Sequence, residues 1–200
     1  MIDEGYIKYQ CYWQQGKAIA ESDILELNRW RQRLYQLGVI GEYDNGIGFG
    51  NLSTRIANSR QMIISGTQTG GIPNLAAQHY SKVTDYSWQE NYVTCQGLVK
   101  ASSEALTHAA IYQALPEVRA VIHIHHLALW SQLLNQVPTT DSDIAYGTPE
   151  MADEIIRLCQ LPTTKTQRII AMSGHESGIL TWGHDLDQAG EALMKYLVTV

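Results

Sequence analysis

The chain lacks any concentration of positive charge. Fourteen Lys and Arg stand against twenty Asp and Glu in 200 residues, for a net charge of −6 with neutral histidines, and no Lys/Arg run exceeds two. No basic footprint for nucleic acid is present, and no nucleic-acid partner is expected. Long apolar runs are also missing. Every hydrophobic stretch is broken by His or Lys within about ten residues, far short of the roughly 20 that a membrane-crossing helix requires, so no membrane span is expected. The opening residues, MIDEGYIKYQ, carry acids where a signal peptide has a basic and then an apolar region, and a cytoplasmic location is the expectation. Cysteine is scarce. Cys11, Cys95 and Cys159 are odd in number, far apart in sequence and without a CxxC pair, which argues against a disulfide framework or a thiolate zinc site and for buried free thiols. Repeats, low-complexity tracts and linkers are absent as well. With 44% hydrophobic and 17% charged residues, one folded domain over 1–200 is expected.

What is present alternates between helical and extended patterns. SDILELNRWRQRLYQLG places Ile24, Leu27, Leu34 and Leu37 at helical spacing, with Asp23 as the expected cap and Gly38 as the stop. After a glycine-dense stretch, NLSTRI and QMIISG read as a β-hairpin, residues 66–73 as a loop, and YSKVTDY and NYVTCQ as further strands. SSEALTHAAIYQAL reads as a helix capped by Ser102 or Ser103, and AVIHIH as a strand. Three more helices follow over HLALWSQLL, TPEMADEIIRLCQ and DLDQAGEALMKYL, the last two capped by Thr148 and Asp185. RIIAM and GILTW read as strands around a turn at Gly174. The fold class implied is α/β or α+β, a mixed sheet flanked by helices.

The sharpest feature is Val121-Ile122-His123-Ile124-His125-His126. Side chains two apart on a strand share a face, so His123 and His125 converge while Ile122 and Ile124 turn to the opposite side. Two imidazoles at a strand end can clamp a divalent metal, which wants three or four ligands. Glu104, His108, His126, His175 and Glu176 are the candidates for the remainder. Other HxH folds fit poorly. A metallo-β-lactamase pattern needs Asp where Leu127 stands, a cupin needs a Glu within Leu127–Gln132, and an amidohydrolase barrel is far longer than this chain.

GNLSTR (Gly50 to Arg55), ISG (Ile64 to Gly66), ASSEALTHAAIYQALPEVRAVIHIHH (Ala101 to His126), YGTPEMADEI (Tyr146 to Ile155) and GHESGILTWGHDLDQAGEAL together resemble the class II aldolase/adducin family. The resemblance implies a three-layer αβα domain with a central mixed, largely antiparallel sheet, commonly assembled as a homotetramer with active sites at subunit interfaces. It implies that His123 and His125 are metal ligands, usually of zinc, and that Glu104 is the catalytic acid/base. It further implies that Asn51, Ser65, Gly66, Ser102 and Ser103 cradle a substrate phosphate. Zinc on neutral imidazoles would polarise a carbonyl or hydroxyl and stabilise an enediolate, while the carboxylate moves the proton.

Two departures stand out. The family's third histidine is followed directly by glycine, whereas Glu176 and Ser177 lie between His175 and Gly178. His175 is the expected third ligand, Ser177 occupies its place if the glycines are aligned, and Glu176 and His184 are the fallback ligands. The connection from His125 to Tyr146 is also shorter than in sugar-phosphate aldolases and lacks the segment bearing their tyrosine proton donor. Tyr146 could substitute, or could be a structural residue at a helix entrance. The leading expectation is a zinc-dependent aldolase-type lyase acting on a small hydroxylated, sugar-like carbonyl compound that carries or lacks a phosphate. An epimerase or dehydratase on the same site, or a non-catalytic adducin-like assembly domain, is the alternative.

Overall fold

A computed structural model describes residues 5–197. Ten strands and six helices follow in the order β1 (Gln10–Gln15), α1 (Glu21–Gln36), β2 (Gly41–Glu42), β3 (Gly48–Phe49), β4 (Asn51–Arg55), β5 (Met62–Ser65), β6 (Tyr80–Ser87), β7 (Tyr92–Gly97), α2 (Ala105–Ala114), β8 (Ala120–His125), α3 (Leu127–Leu133), α4 (Pro149–Cys159), α5 (Pro162–Gln167), β9 (Ile169–Ala171), β10 (Gly178–Gly183) and α6 (Leu186–Leu197). Eight strands form one sheet in the order β1-β7-β6-β5-β4-β8-β10-β9, while β2 and β3 pair separately. Every pairing in the large sheet is antiparallel except β1 with β7. The expected mixed, largely antiparallel sheet between helical layers is therefore the observed architecture.

Alternation along β8 divides the interior in two. Val121 joins a core with Leu106, Ala109 and Tyr112 of α2 and Ile155 and Leu158 of α4. Ile122 and Ile124 join the core on the other face, with Ile24, Leu27 and Leu34 of α1 and Ala189 and Leu193 of α6. Each face thus buries one helix pair, which is why both layers hold to the sheet.

Local signals were accurate where a side chain closes the helix itself. Thr148 accepts from Met151 N–H at 3.2 Å at the start of α4, and Asp185 accepts from Gln188 N–H at 2.7 Å ahead of α6. Two expected caps are corrected. Helix α1 begins at Glu21 with Ala20 as its N-cap, so Asp23 lies inside the first turn, where a carboxylate still complements the helix dipole. Helix α2 begins at Ala105 with Glu104 in the cap position, and Ser102 instead accepts from Glu104 N–H at 3.3 Å. Strand β1 and helix α5 had no counterpart in the sequence reading. The cysteines are free, as expected, but Cys11 is only partly buried.

Candidate metal centre

Strand β8 delivers the two histidines to the face occupied by α2 and α4. His123 and His125 are both buried, and their Nε2 atoms approach to 3.1 Å. His123 Nδ1 lies 3.2 Å from the Ile179 carbonyl oxygen, which can only accept. Nδ1 must then carry the proton, leaving the Nε2 lone pair directed at its neighbour. His125 Nδ1 lies 2.8 Å from the Tyr43 hydroxyl. A phenol both donates and accepts, so Tyr43 can serve either tautomer of His125, including the one that frees Nε2 for a cation. Burial, followed by the neighbouring imidazoles, pushes both histidines well below the ordinary imidazole range. Neutral rings, which are the metal-binding form, are therefore favoured.

The third imidazole comes from the β9–β10 turn. His123, His125 and His175 each offer a nitrogen, and the three atoms lie within 4.8 Å of one another. His175 is buried and stacks on Tyr146, with ring centroids 4.4 Å apart and planes at 20°. The two residues inserted before Gly178 are absorbed by the turn, where Ser177 takes a left-handed conformation with φ of 69°. Gly178 N–H closes onto the His175 carbonyl at 2.9 Å, and His126 N–H onto the Ser177 carbonyl at 3.0 Å. Glycine at 178 is required by crowding. A Cβ there would sit 2.9 Å from the His175 carbonyl oxygen and 3.2 Å from His123 Cε1. Gly174 is equally constrained, since its Cβ would collide with the Ile144 carbonyl and push the turn off the segment leading to Tyr146.

The other proposed ligands lie elsewhere. His126 accepts from Leu129 N–H at 3.1 Å and caps α3. His184 follows β10 at the end opposite His175, with its Nδ1 3.0 Å from the Glu117 carbonyl. Glu176 is exposed beside the turn and outside the three-histidine group, and Ser177 only shapes the turn. His108 is buried in α2, where Nδ1 meets Ser53 Oγ at 2.7 Å, and burial pushes its pKa down to about 3.

That contact locates Glu104. Ser53 is the register partner of Val121, and Asn51 that of His123. Glu104 precedes His108 by one turn, about 6 Å along the helix axis. Because α2 runs back over β8, this brings the buried Glu104 to the level of Asn51 and His123. Nearby, Asn51, Gly66, Ser102 and Ser103 line one small polar cleft together with Thr69 and Gly5. Asn51 Oδ1 is buried there without a hydrogen-bond partner. Ser65, the fifth residue expected at this cleft, accepts instead from Leu52 N–H at 3.3 Å and fixes the backbone beside it.

Sequence reasoning missed Tyr43 and Arg31. Tyr43 sits in the turn between β2 and β3, and only the fold brings it to His125. Arg31, buried in α1, donates to the carbonyls of Thr69, Gly70 and Pro73 at 3.2, 2.6 and 2.9 Å and so holds the loop that walls the cleft. An arginine on the buried stripe of an amphipathic helix was the available signal.

A profile of the class II aldolase and adducin N-terminal domain matches residues 41–197. The chain belongs to the class II aldolase and adducin family. Solved structures with this fold include YgbL from Escherichia coli, a putative aldolase/epimerase/decarboxylase, at 20% identity and TM-score 0.62, covering 88% of this chain and 84% of that one. An L-fuculose 1-phosphate aldolase matches at 18% identity and TM-score 0.65, covering 91% and 88%. A sugar-phosphate aldolase from Thermotoga maritima matches at 15% identity and TM-score 0.63, covering 88% and 90%. Family membership and the intact histidine cluster support an enzyme of this superfamily. Among the described residues, no helix is long and apolar enough to cross a membrane.

Proposed function

We propose that the protein is a zinc-dependent aldolase-type lyase that breaks a carbon–carbon bond in a small, hydroxylated, sugar-like carbonyl compound. The observation that carries this reading is the convergence of His123, His125 and His175, with burial favouring the neutral rings of the first two. His123, His125 and His175 would hold the cation, and three buried imidazole nitrogens within 4.8 Å of one another are a donor set that suits zinc. When bound there, a divalent cation supplies Lewis acidity at the substrate's carbonyl oxygen.

The remaining work falls to side chains of this chain. The Glu104 carboxyl delivers a proton to the carbon atom from which the bond has broken, and takes it back in the reverse direction. The Ser102 and Ser103 hydroxyls, the Asn51 amide and backbone N–H groups ahead of α2 orient an anionic group in the cleft. A phosphate suits that chemistry, and the neighbours described as L-fuculose 1-phosphate and sugar-phosphate aldolases favour it. Tyr146, stacked on His175, orients the third imidazole. A homotetramer with the cleft at a subunit interface belongs to the same proposal and is checked by analytical ultracentrifugation.

Elemental analysis of protein purified without chelator should find about one zinc per chain. Incubation with a panel of ketose phosphates should release two shorter fragments from at least one member, and chelation should stop this. Zinc-free wild-type protein overturns the metal assignment. A product that keeps every carbon replaces cleavage with epimerisation, or with dehydration where water is lost.

A further inference from the structure

Cys11 lies on β1 and Cys95 on β7, and their sulfurs face each other at 3.9 Å. In the parallel register Cys11 pairs with Val93 and Trp13 with Cys95, so the two thiols are diagonal neighbours on one face of the sheet edge. Residues on either side hold the strands together. Gln10 N–H donates to the Asn91 carbonyl at 2.8 Å, Trp13 Nε1–H to the Gly97 carbonyl at 3.1 Å, and Gln96 Nε2 to Gln14 Oε1 at 2.7 Å. Cys159 is buried in α4, and burial pushes its thiol up to about 12.

We infer that Cys11 and Cys95 are a reversible oxidation site, closed to a disulfide by a low-molecular-weight disulfide such as oxidised glutathione. Cys11 is only partly buried, while Cys95 is fully buried, so an oxidant in solution meets Cys11 first. Cys11 gives up its proton as it attacks one sulfur of the oxidant, and the products are a mixed disulfide and one thiolate that takes up a proton. Cys95 then attacks Cys11 Sγ and expels the second thiolate, which is protonated in turn. The protein gives up two electrons and two protons, and the oxidant becomes two thiols. In the reduced pair the hydrogen bond from Cys11 lowers the Cys95 thiol against the opposing effect of burial, while Cys11, as the donor, is pushed up.

The bond would fasten β1, which precedes the family-matched residues, to the sheet. It would also fix Tyr9, two residues earlier, whose hydroxyl donates to the Ser102 carbonyl at 2.9 Å beside the polar cleft. The cross-link closes a loop of more than 80 residues, the kind that most restricts an unfolded chain.

The full chain is incubated with oxidised glutathione, denatured, and capped with N-ethylmaleimide. Two of its three cysteines should resist capping, and peptide mapping should find a Cys11–Cys95 link that dithiothreitol removes. Melting temperature should rise by roughly 5–10 °C, with slowed amide exchange across residues 10–15. Cys159→Ser should leave the link intact, and Cys11→Ser should leave Cys95 capped. A glutathione adduct that stops at Cys11, a link through Cys159 or between chains, or three cappable thiols would each overturn the inference. An unchanged melting temperature and exchange pattern in linked protein would overturn the fastening of β1. None of these measurements requires catalytic activity, so their outcome is independent of the lyase reading.

Discussion

The two faces of β8 carry the same strand into opposite kinds of interior. On the α1/α6 side, Ile122 and Ile124 belong to an apolar cluster with Leu27, Leu34 and Leu193. On the α2/α4 side, the same strand carries His123 and His125, and Ser53, Glu104 and His108 are buried polar residues of the same layer. Apolar contacts on the first face stabilise the sheet, and that stability lets the second face hold buried polar groups whose desolvation works against folding. A period of two in six residues is enough to separate these duties.

Exchanging the two faces gives the largest expected effect. Ile122→Ala with Ile124→Ala should cost about 2–5 kcal/mol per site, enough to abolish a cooperative melt. His123→Ala with His125→Ala should keep that melt while elemental analysis shows the metal gone. If the histidine pair proves the structural one, the contrast fails. Within the polar face, Glu104→Gln should lower turnover by about 10²–10⁴-fold while metal content stays at the wild-type level. Unchanged turnover would remove Glu104 from the acid/base role, and no turnover in the wild type would leave the chain a non-catalytic, adducin-like role.

A pH series sharpens the comparison next. His108 is held near 3 in the folded protein, below the ordinary 6.5, so the native state refuses a proton that the unfolded chain accepts. Its contribution is complete above pH 6.5 and is lost as pH falls from 6.5 toward 3. Between 6.5 and 4 the loss should be about 3 kcal/mol. Denaturant melts of His108→Gln should show a correspondingly shallower dependence on pH. The smallest effect is expected for Tyr43→Phe, which removes the hydroxyl from His125 Nδ1 but spares the ligands. Metal affinity, measured by chelator competition, should drop by about 10–100-fold.

How much could be read in advance follows the range of each interaction. Thr148 and Asp185 cap their own helices through contacts three residues away, and both were legible. The β4–β5 hairpin and the alternation in β8 were legible for the same reason. Strand β1 was not, because QCYWQQ is a largely exposed edge strand whose partner lies about 80 residues further on. Six-residue α5 has no side-chain cap to announce it. For the site, His123 and His125 were visible as a pair and Glu104 as a candidate beside them, its acid/base role implied by the family resemblance, while His175 competed with Glu176 and His184. Tyr43 and Arg31 act on residues 82 and about 40 positions away, where no local pattern reaches.

The sequence by itself determined a mixed sheet flanked by helices, two imidazoles on one side of a strand, and the family whose motifs surround them. Periodicity and capping are written into neighbouring residues, so they survive without knowledge of the fold. Tertiary structure alone decided that His175 joins the pair, that His108 and His184 do not, that a phenol from a distant turn reaches His125, and that two cysteines 84 positions apart come face to face. These outcomes depend on how long-range strand pairing sets register and closes loops, and such pairing is fixed by the packing of the whole sheet rather than by any segment of it.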